Sequence, residues 1–306
     1  MDHKKQQEIN HPQTMDNNLP GKALWRLRHP ILPLVRMVKF LFLTGPFVFV
    51  DEILAELVSP IEFGEETYEK PGECLNEFLS VLKEFEQLKK AGKPAYKILS
   101  DSISPMDLWS AVDLWVAQQV LALELERINS LLCQPCKCFL CCIGPEDNMR
   151  QKFFEIPLQD LEIHRFPVEK IDSPLLRQYS SQTEPPFLRD GLPFYNTSLA
   201  IYHWQDGWSL ILPQGTSCPG LNRQTGLCQI YEKRPEVCRR TQIFPYVLEK
   251  SGEQDNETDG ERLPVYIARE KLLAIWDCPY VRQFQKEIAA YAERCELEPI
   301  FKENKG

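Results

Sequence analysis

Apolar residues recur at helical spacing in two segments of the first half of the chain. The first segment places them on one helical face, at Leu75, Phe78, Leu79, Leu82, Phe85 and Leu88. Gly92 stands where such a helix would end. The second segment opens at Ser104 and Pro105, which are typical of an N-cap and a first turn, and continues to about Leu132. The pattern predicts a helical region over residues 21–132 whose last helix leads into Cys133.

The segment of residues 22–50 is rich in both apolar and basic side chains. Its charge-free run, residues 40–50, is about half of the roughly 20 residues that a membrane-spanning helix needs, so it does not span a bilayer. We predict a helix that packs on the core. The basic residues leave a second interpretation open, a peripheral contact of residues 22–50 with an anionic membrane surface. Residues 1–20 are polar, without apolar periodicity, and predict a disordered tail.

Strand patterns appear in the second half of the chain. Residues 152–158 predict a short strand. Residues 201–204 and 208–212 predict a β-hairpin around a turn that contains Gly207. Since this hairpin ends just before Cys218, we expect it to carry the later cysteines back to the earlier ones.

The C-terminal part, residues 246–306, combines an acidic stretch with helical spacings. Residues 250–261 are typical of a solvated acidic loop. Residues 263–276 and 280–294 predict helices that pack on the core. The predicted fold is α+β and mainly helical, with long helices that brace a small cysteine-rich metal-binding core containing a β-hairpin.

Charge and composition narrow the range of functions. The chain has 306 residues, 43% of them hydrophobic, which is enough to bury a full core, and a formal net charge of −9. So acidic a chain has no general basic field, and we predict no nucleic-acid binding. No apolar stretch typical of a secretory signal follows Met1. The eleven cysteines are an odd number, which favours a reducing compartment, and we predict a cytoplasmic protein.

Eight cysteines fall in two groups that packing alone does not require. The candidate metal ligands are Cys133, Cys136, Cys138, Cys141, Cys142, Cys218, Cys228 and Cys238. A Cys-x-x-Cys turn lets two thiolates converge on one ion, and thiolates select zinc, copper(I) or iron–sulfur centres over hard cations. The alternative, a disulfide framework, suits short secreted chains. Since adjacent side chains point apart, Cys141 and Cys142 do not easily bind one tetrahedral ion together.

The second cysteine group lies in a specific motif. It reads Cys218-Pro-Gly-Leu221, then Gly226-Leu-Cys228-Gln-Ile-Tyr231, then Arg234-Pro235-Glu-Val-Cys238-Arg239. This stretch resembles the YkgJ-like family, which is named for a CxxCxxCC cluster and described as zinc- or iron-chelating. The resemblance covers residues 133–245 and implies a metal-binding domain there. The first group departs from the family spacing, so which of Cys133, Cys136 and Cys138 bind metal stays open.

Positive charge accompanies the second cysteine group. Pro235 predicts a helix start that places Cys238 near a helix N-terminus, where the helix dipole favours a thiolate. Arg234, Arg239 and Arg240 would offset the negative charge of a thiolate centre. Ordinary surface ion pairs are the alternative role for these arginines.

The remaining cysteines and histidines add little to the predicted site. Cys278 lies outside the motif but could reach the site from the C-terminal part. Cys74 and Cys295 are predicted to be structural. His203, in the hairpin, is the one histidine to consider as an additional ligand.

Three functions remain open on the sequence alone. An iron–sulfur centre would serve an oxidoreductase or a methylase-like enzyme that works with a protein partner or an electron donor; the flagellin lysine methylases resemble the family in their cysteine clusters. A structural zinc site would leave function to a surface such as residues 22–50. The third function is metal storage or delivery. More than four cysteines favour an iron–sulfur centre, because a closed zinc site needs only four ligands.

Overall fold

The computed structural model describes residues 19–64, 66–183, 186–255 and 262–303. The N-terminal helices are α1 (Leu19–Arg28), α2 (Leu32–Thr44) and α3 (Val50–Glu56). The next elements are β1 (Ile61–Phe63), β2 (Glu66–Tyr68), α4 (Pro71–Asn76), α5 (Leu79–Leu82), α6 (Glu84–Ala91) and β3 (Lys97–Leu99). The predicted disordered tail lies outside the described residues except for its last two, which begin α1.

Helix α7 (Leu108–Cys136) packs against the N-terminal helices on one side and against later elements on the other. Its N-cap is Asp107, whose side chain accepts two backbone N–H hydrogen bonds, at 3.1 and 3.0 Å. The predicted bounds of this helix were wrong by a few residues. Asp107 rather than Ser104 provides the capping oxygen, and the helix continues to Cys136.

The helix predicted around Leu75 to Leu88 is broken into three. Helices α4, α5 and α6 replace one continuous helix, but the predicted face is still the buried one, and Phe78 and Phe85 are fully buried. Gly92 caps α6 with a left-handed backbone (φ 68°), as predicted.

The prediction of a mainly helical fold was wrong. Of the described residues, 43% are helical and 26% lie in strands, which makes this a mixed α+β fold with several sheets. The first sheet joins β12 (Ile243–Asp255) antiparallel to β13 (Arg262–Ile275), and β13 pairs in parallel with β14 (Glu298–Lys302) and β3. Strand β12 includes residues 250–255 of the predicted acidic loop, whose remainder lies outside the described residues. Strand β13 replaces the helix predicted over residues 263–276.

A β-bulge explains the misleading helical spacing of β13. Arg269 and Glu270 together face the single residue Val247 of β12, and Glu270 has a left-handed backbone (φ 48°). Such a bulge breaks the alternation of side chains between the two faces of the strand. Because of this bulge, the buried residues Val265 and Leu272 lie on the same face of the strand although they are seven residues apart, which is the spacing of two helical turns.

The second sheet confirms the predicted strand and hairpin. Its strand order is β4 (Phe153–Leu158), β9 (Gly207–Pro213), β8 (Ala200–Trp204) and β5 (Lys170–Ile171). The short hairpins near it are β6 (Leu188–Arg189) with β7 (Leu192–Pro193), and β10 (Leu221–Asn222) with β11 (Leu227–Cys228). The remaining helices are α8 (Glu236–Arg240), α9 (Pro279–Gln283) and α10 (Gln285–Arg294), of which the last two fill the predicted helical segment 280–294.

The main apolar core gathers α7, the N-terminal helices, the first sheet and the C-terminal helices. Helix α2 buries Val38 and Phe42 in it, which confirms the predicted core helix. The same helix leaves Phe40 63% exposed. Its basic residues Arg36 and Lys39 form ion pairs at 2.8 and 2.9 Å with acids of other elements. The peripheral membrane contact stays a prediction.

Within the described residues, no helix combines the length and the apolar character that crossing a membrane requires.

Candidate metal centre

A short stretch of paired backbone joins the two cysteine groups. Cys218 donates its backbone N–H to the carbonyl oxygen of Cys142 (2.7 Å), and Gly144 donates to that of Thr216 (3.0 Å). A Cβ atom on Gly144 would lie 2.0 Å from the carbonyl oxygen of Pro213, so only glycine fits there. This close approach holds Cys142 beside Cys218.

The end of α7 supplies the first cysteine group. Cys133 and Cys136 lie in its last turn, three residues apart and thus on one helical face. Lys137 leaves the helix with a left-handed backbone (φ 53°). A 3-10 turn over Leu140–Cys142 follows. The helix therefore braces the cysteine group, as its length in the sequence suggested.

A tight hairpin and a short helix position the last two predicted ligands. Strands β10 and β11 pair Leu221 with Cys228, across a turn in which Gly226 takes a left-handed backbone (φ 69°). Helix α8 starts after Pro235, as predicted, and carries Cys238 in its first turn.

One cavity of about 130 Å³ brings most of the predicted ligands together. Its lining includes Cys133, Cys138, Cys141, Cys142, Cys218, Cys228 and Cys238, and we call it the thiol cavity. Cys136 does not line it but lies near Cys138 and Cys278. Cys74 and Cys295 contact the main apolar core instead. Seven of the eight predicted ligands thus meet in one place.

The thiols surround this cavity without converging on a single point. Within the described residues, no three His, Cys, Asp or Glu side chains stand as a ligand set for one ion. Tetrahedral zinc with bonds of about 2.3 Å would hold its sulfur atoms roughly 3.8 Å apart. The sulfur atoms of Cys141 and Cys142 are 3.9 Å apart, but these residues are adjacent in the chain.

Burial holds most of these thiols in their protonated form. It raises the pKa of Cys133 and of Cys218 to about 11 and the pKa of Cys238 to about 12. At Cys238, burial therefore outweighs the dipole effect that the sequence predicted. A metal centre must displace protons from such thiols when it binds.

Cys141 is the exception. A hydrogen bond from the thiol of Cys142 lowers the pKa of Cys141 to about 7 and raises that of Cys142. Beside burial, which is the larger cause, the charge on Cys141 raises the pKa of Cys133, Cys138, Cys218, Cys228 and Cys238. Among the thiols of this cavity whose pKa is shifted, Cys141 is therefore the one that loses its proton most readily.

Arg234 faces the thiols from a buried position. It is 6% exposed and lines the thiol cavity. Its guanidinium lies 3.6 Å from the ring centre of Tyr231 and donates a hydrogen bond to Ser130 (3.0 Å). Arg234 thus supplies positive charge beside the candidate ligands, in the role that the sequence suggested.

Arg239 and Arg240 have the other predicted role. Both donate to the carboxylate of Glu126 on α7, at 2.5 and 3.0 Å, and Arg240 also pairs with Glu236. These arginines attach α8 to α7. Their charge is neutralised by ion pairs, in contrast to that of Arg234.

A second, larger cavity of about 690 Å³ adjoins the thiol cavity. Cys138, Cys141 and Cys238 belong to the walls of both. Cys278, which is buried, lines the larger one, and burial raises its pKa to about 12. The predicted ligand set left Cys278 out because it lies outside the motif; its position depends on β13, which the sequence did not predict.

His203 is held away from both cavities. Its ring stacks on Trp208 with ring centres 4.3 Å apart, and its Nδ1 lies 3.3 Å from a carboxylate oxygen of Asp172. These local contacts account for the histidine without a metal.

Thiols from several chain segments around one cavity define a cysteine-rich metal-binding class of protein. Residues 132–296, more than half of the chain, match the CxxCxxCC family, which is described as a “putative zinc- or iron-chelating domain”; the chain belongs to this family. The match extends past the motif to include β13, Cys278 and the C-terminal helices. Comparison with curated proteins and with solved structures gave no match.

Proposed function

We propose that the thiol cavity holds an iron–sulfur cluster and that the protein acts in electron transfer or in a redox-linked modification reaction. The observation that carries this proposal is the arrangement of seven thiols around one cavity of about 130 Å³. A closed zinc site needs four thiolates drawn tightly around one ion. In a cluster, iron and sulfide lie between the cysteines, so the thiolates stand farther apart.

The donor set suits such a cluster. Four thiolates, drawn from Cys141 and from the cysteines of α7, β11, α8 and the Cys218 turn, would hold it, and Cys142 remains beside them as a thiol donor. Arg234 would offset the negative charge that four thiolates give to the centre. The cluster would supply one-electron chemistry, and the protein would set its potential through burial and through these donors.

The nature of the metal centre is tested on protein purified without oxygen. We expect broad visible absorption, together with iron and acid-labile sulfide in similar amounts. A colourless protein with about one or two zinc ions per chain would overturn the cluster and make the site structural.

Serine substitutions test the ligands. We expect Cys141→Ser, Cys228→Ser and Cys238→Ser each to lose bound metal and to lower the melting temperature. Cys74→Ser and Cys295→Ser are the controls, because both residues contact the main core and line neither cavity. Equal metal content in all five variants would contradict the ligand assignment.

A further inference from the structure

The larger cavity has the dimensions of a binding site for a small molecule. Its volume of about 690 Å³ falls within the roughly 300–1,000 Å³ typical of ligand pockets. Helix α7 forms one wall, β4 of the second sheet forms another, and α8, β12, the end of β13 and residues from the segments 138–141 and 277–278 form the rest. The cavity therefore lies between the two sheets, where its shape depends on both.

Most of its surface is apolar. Its apolar lining residues include Leu125, Leu140, Phe154, Ile243 and Phe244. An apolar wall of this kind favours a ligand with apolar surface, because removing that surface from water is favourable in free energy.

The polar side chains of the same wall are already engaged within the protein. Gln118 accepts backbone N–H hydrogen bonds from Val247 (3.0 Å) and Leu248 (3.1 Å). Arg240 is paired with two glutamates, and Glu155 accepts hydrogen bonds from two neighbouring side chains. Asp277 is engaged as well. None of the charged groups on the wall calls for a charged ligand.

The thiol end of the cavity is different. Cys138, Cys141 and Cys238 separate it from the thiol cavity, and the side chain of Gln242 hydrogen-bonds to Cys141. A molecule in the larger cavity would therefore place one end against the metal centre. The amide of Gln242 would meet the same end.

We propose that the larger cavity binds a small, uncharged organic molecule with an apolar body, oriented so that one polar end faces the thiols. The binding itself rests on the cavity alone. The contact with a metal centre rests on the proposed function, and the two parts are tested separately.

The first test is a titration of the anaerobically purified protein with prodan, a neutral naphthalene dye whose emission shifts to the blue in apolar surroundings. We expect saturable binding of one dye per chain. Ala122→Phe, on α7, fills part of the cavity and should weaken binding by about tenfold or more. The matched control is Ala55→Phe at an exposed position of α3, which should leave binding unchanged.

A second variant keeps this test decisive. If Ala122→Phe does not fold, Leu140→Trp takes its place, since Leu140 lines the cavity but is 46% exposed and tolerates a larger side chain. Equal dye affinity in wild type, cavity variants and control would overturn the proposed site, as would a wild type that binds no dye.

The second test asks whether the bound molecule reaches the metal centre. The proton NMR line widths of the dye are compared between protein that holds its iron–sulfur cluster and protein from which a chelator has removed the iron. We expect the dye signals to broaden only in the first sample, because the iron of a cluster is paramagnetic. Equal line widths in protein whose iron and sulfide content shows a cluster would overturn the contact. Protein purified without oxygen that contains no iron and sulfide would overturn the proposed function, while the dye titration would still decide the cavity.

Discussion

The main apolar core is buried, whereas most thiols around the thiol cavity are half-buried, and the two regions satisfy their polar groups in opposite ways. In the main core, Glu124 and Asn129 are buried polar side chains that have partners within the protein. Glu124 is fully buried and accepts hydrogen bonds from the backbone N–H of Ile31 (3.2 Å) and the hydroxyl of Tyr291 (2.6 Å). Asn129 both donates to and accepts from the backbone of Ile243. Polar groups paired in this way need no bound ligand.

Hydrogen bonds within the protein cannot satisfy the thiols around the thiol cavity to the same degree. Thiols are weak donors and weak acceptors, and burial raises the pKa of most of those around the cavity. Apart from α7, the elements that carry them are short, and β11, which carries Cys228, has only two residues. The difference teaches that the main core provides its own stability, and we expect the thiol region to gain stability from the metal that it binds.

Metal removal should open the region around the thiol cavity and leave the main core folded. Structural zinc provides roughly 10–16 kcal/mol of binding energy in small domains, so we expect a chelator to speed backbone amide exchange over residues 217–240 by at least about a thousandfold. Helix α7 before Cys133 should keep its protection. Exchange that rises equally in both regions would contradict the comparison.

A cavity-creating substitution tests the role of the main core. Phe42→Ala removes a fully buried ring from the main core and should lower the free energy of unfolding by about 3–5 kcal/mol. Metal content should not change, because the ring lies away from the thiols. Phe40→Ala on the same helix, at an exposed position, should stay within about 0.5 kcal/mol of wild type in urea unfolding. Similar losses for both would refute this picture of α2.

The pH dependence of stability sharpens the description of the main core. Burial raises the pKa of Glu124 to about 7, from 4.5. The folded protein therefore holds this proton more tightly than the unfolded chain does. The resulting stability is fully present below about pH 4.5 and is lost as the pH rises through about 7.

Glu124→Gln removes this titration. Relative to the variant, wild type should lose up to about 3 kcal/mol of unfolding free energy as the pH rises through that window. Urea unfolding at several pH values measures the difference. Parallel pH profiles for the two proteins would show that Glu124 does not titrate there.

The smallest expected effect concerns the charge beside the thiols. Arg234→Gln removes a buried cation from the cavity wall and should weaken metal affinity by about tenfold. Arg239→Gln is the control, since Glu126 already neutralises that arginine. Competition against a chromophoric chelator measures both. An equal loss in the two variants would mean that general charge, and not the position of Arg234, matters.

Several features of the fold could be predicted because their signals are local. The hairpin of β8 and β9, the core face of α2 and the start of α8 follow from side-chain spacing and from proline and glycine. The long hairpin of β12 and β13 could not. The bulge at Arg269 and Glu270 gives β13 a helical spacing, and only pairing with β12 makes it a strand.

The candidate ligands show the same division between features that the sequence predicts and features that depend on tertiary contacts. The sequence by itself determined that the chain carries clustered thiols, because no packing role requires so many cysteines in one motif. Only the tertiary structure decided which of them meet, since Cys133 lines the thiol cavity and Cys136, on the same turn of α7, does not. It also brought Cys278 and an apolar cavity to the same thiols. Those positions depend on contacts between residues far apart in the chain, which local spacing does not encode.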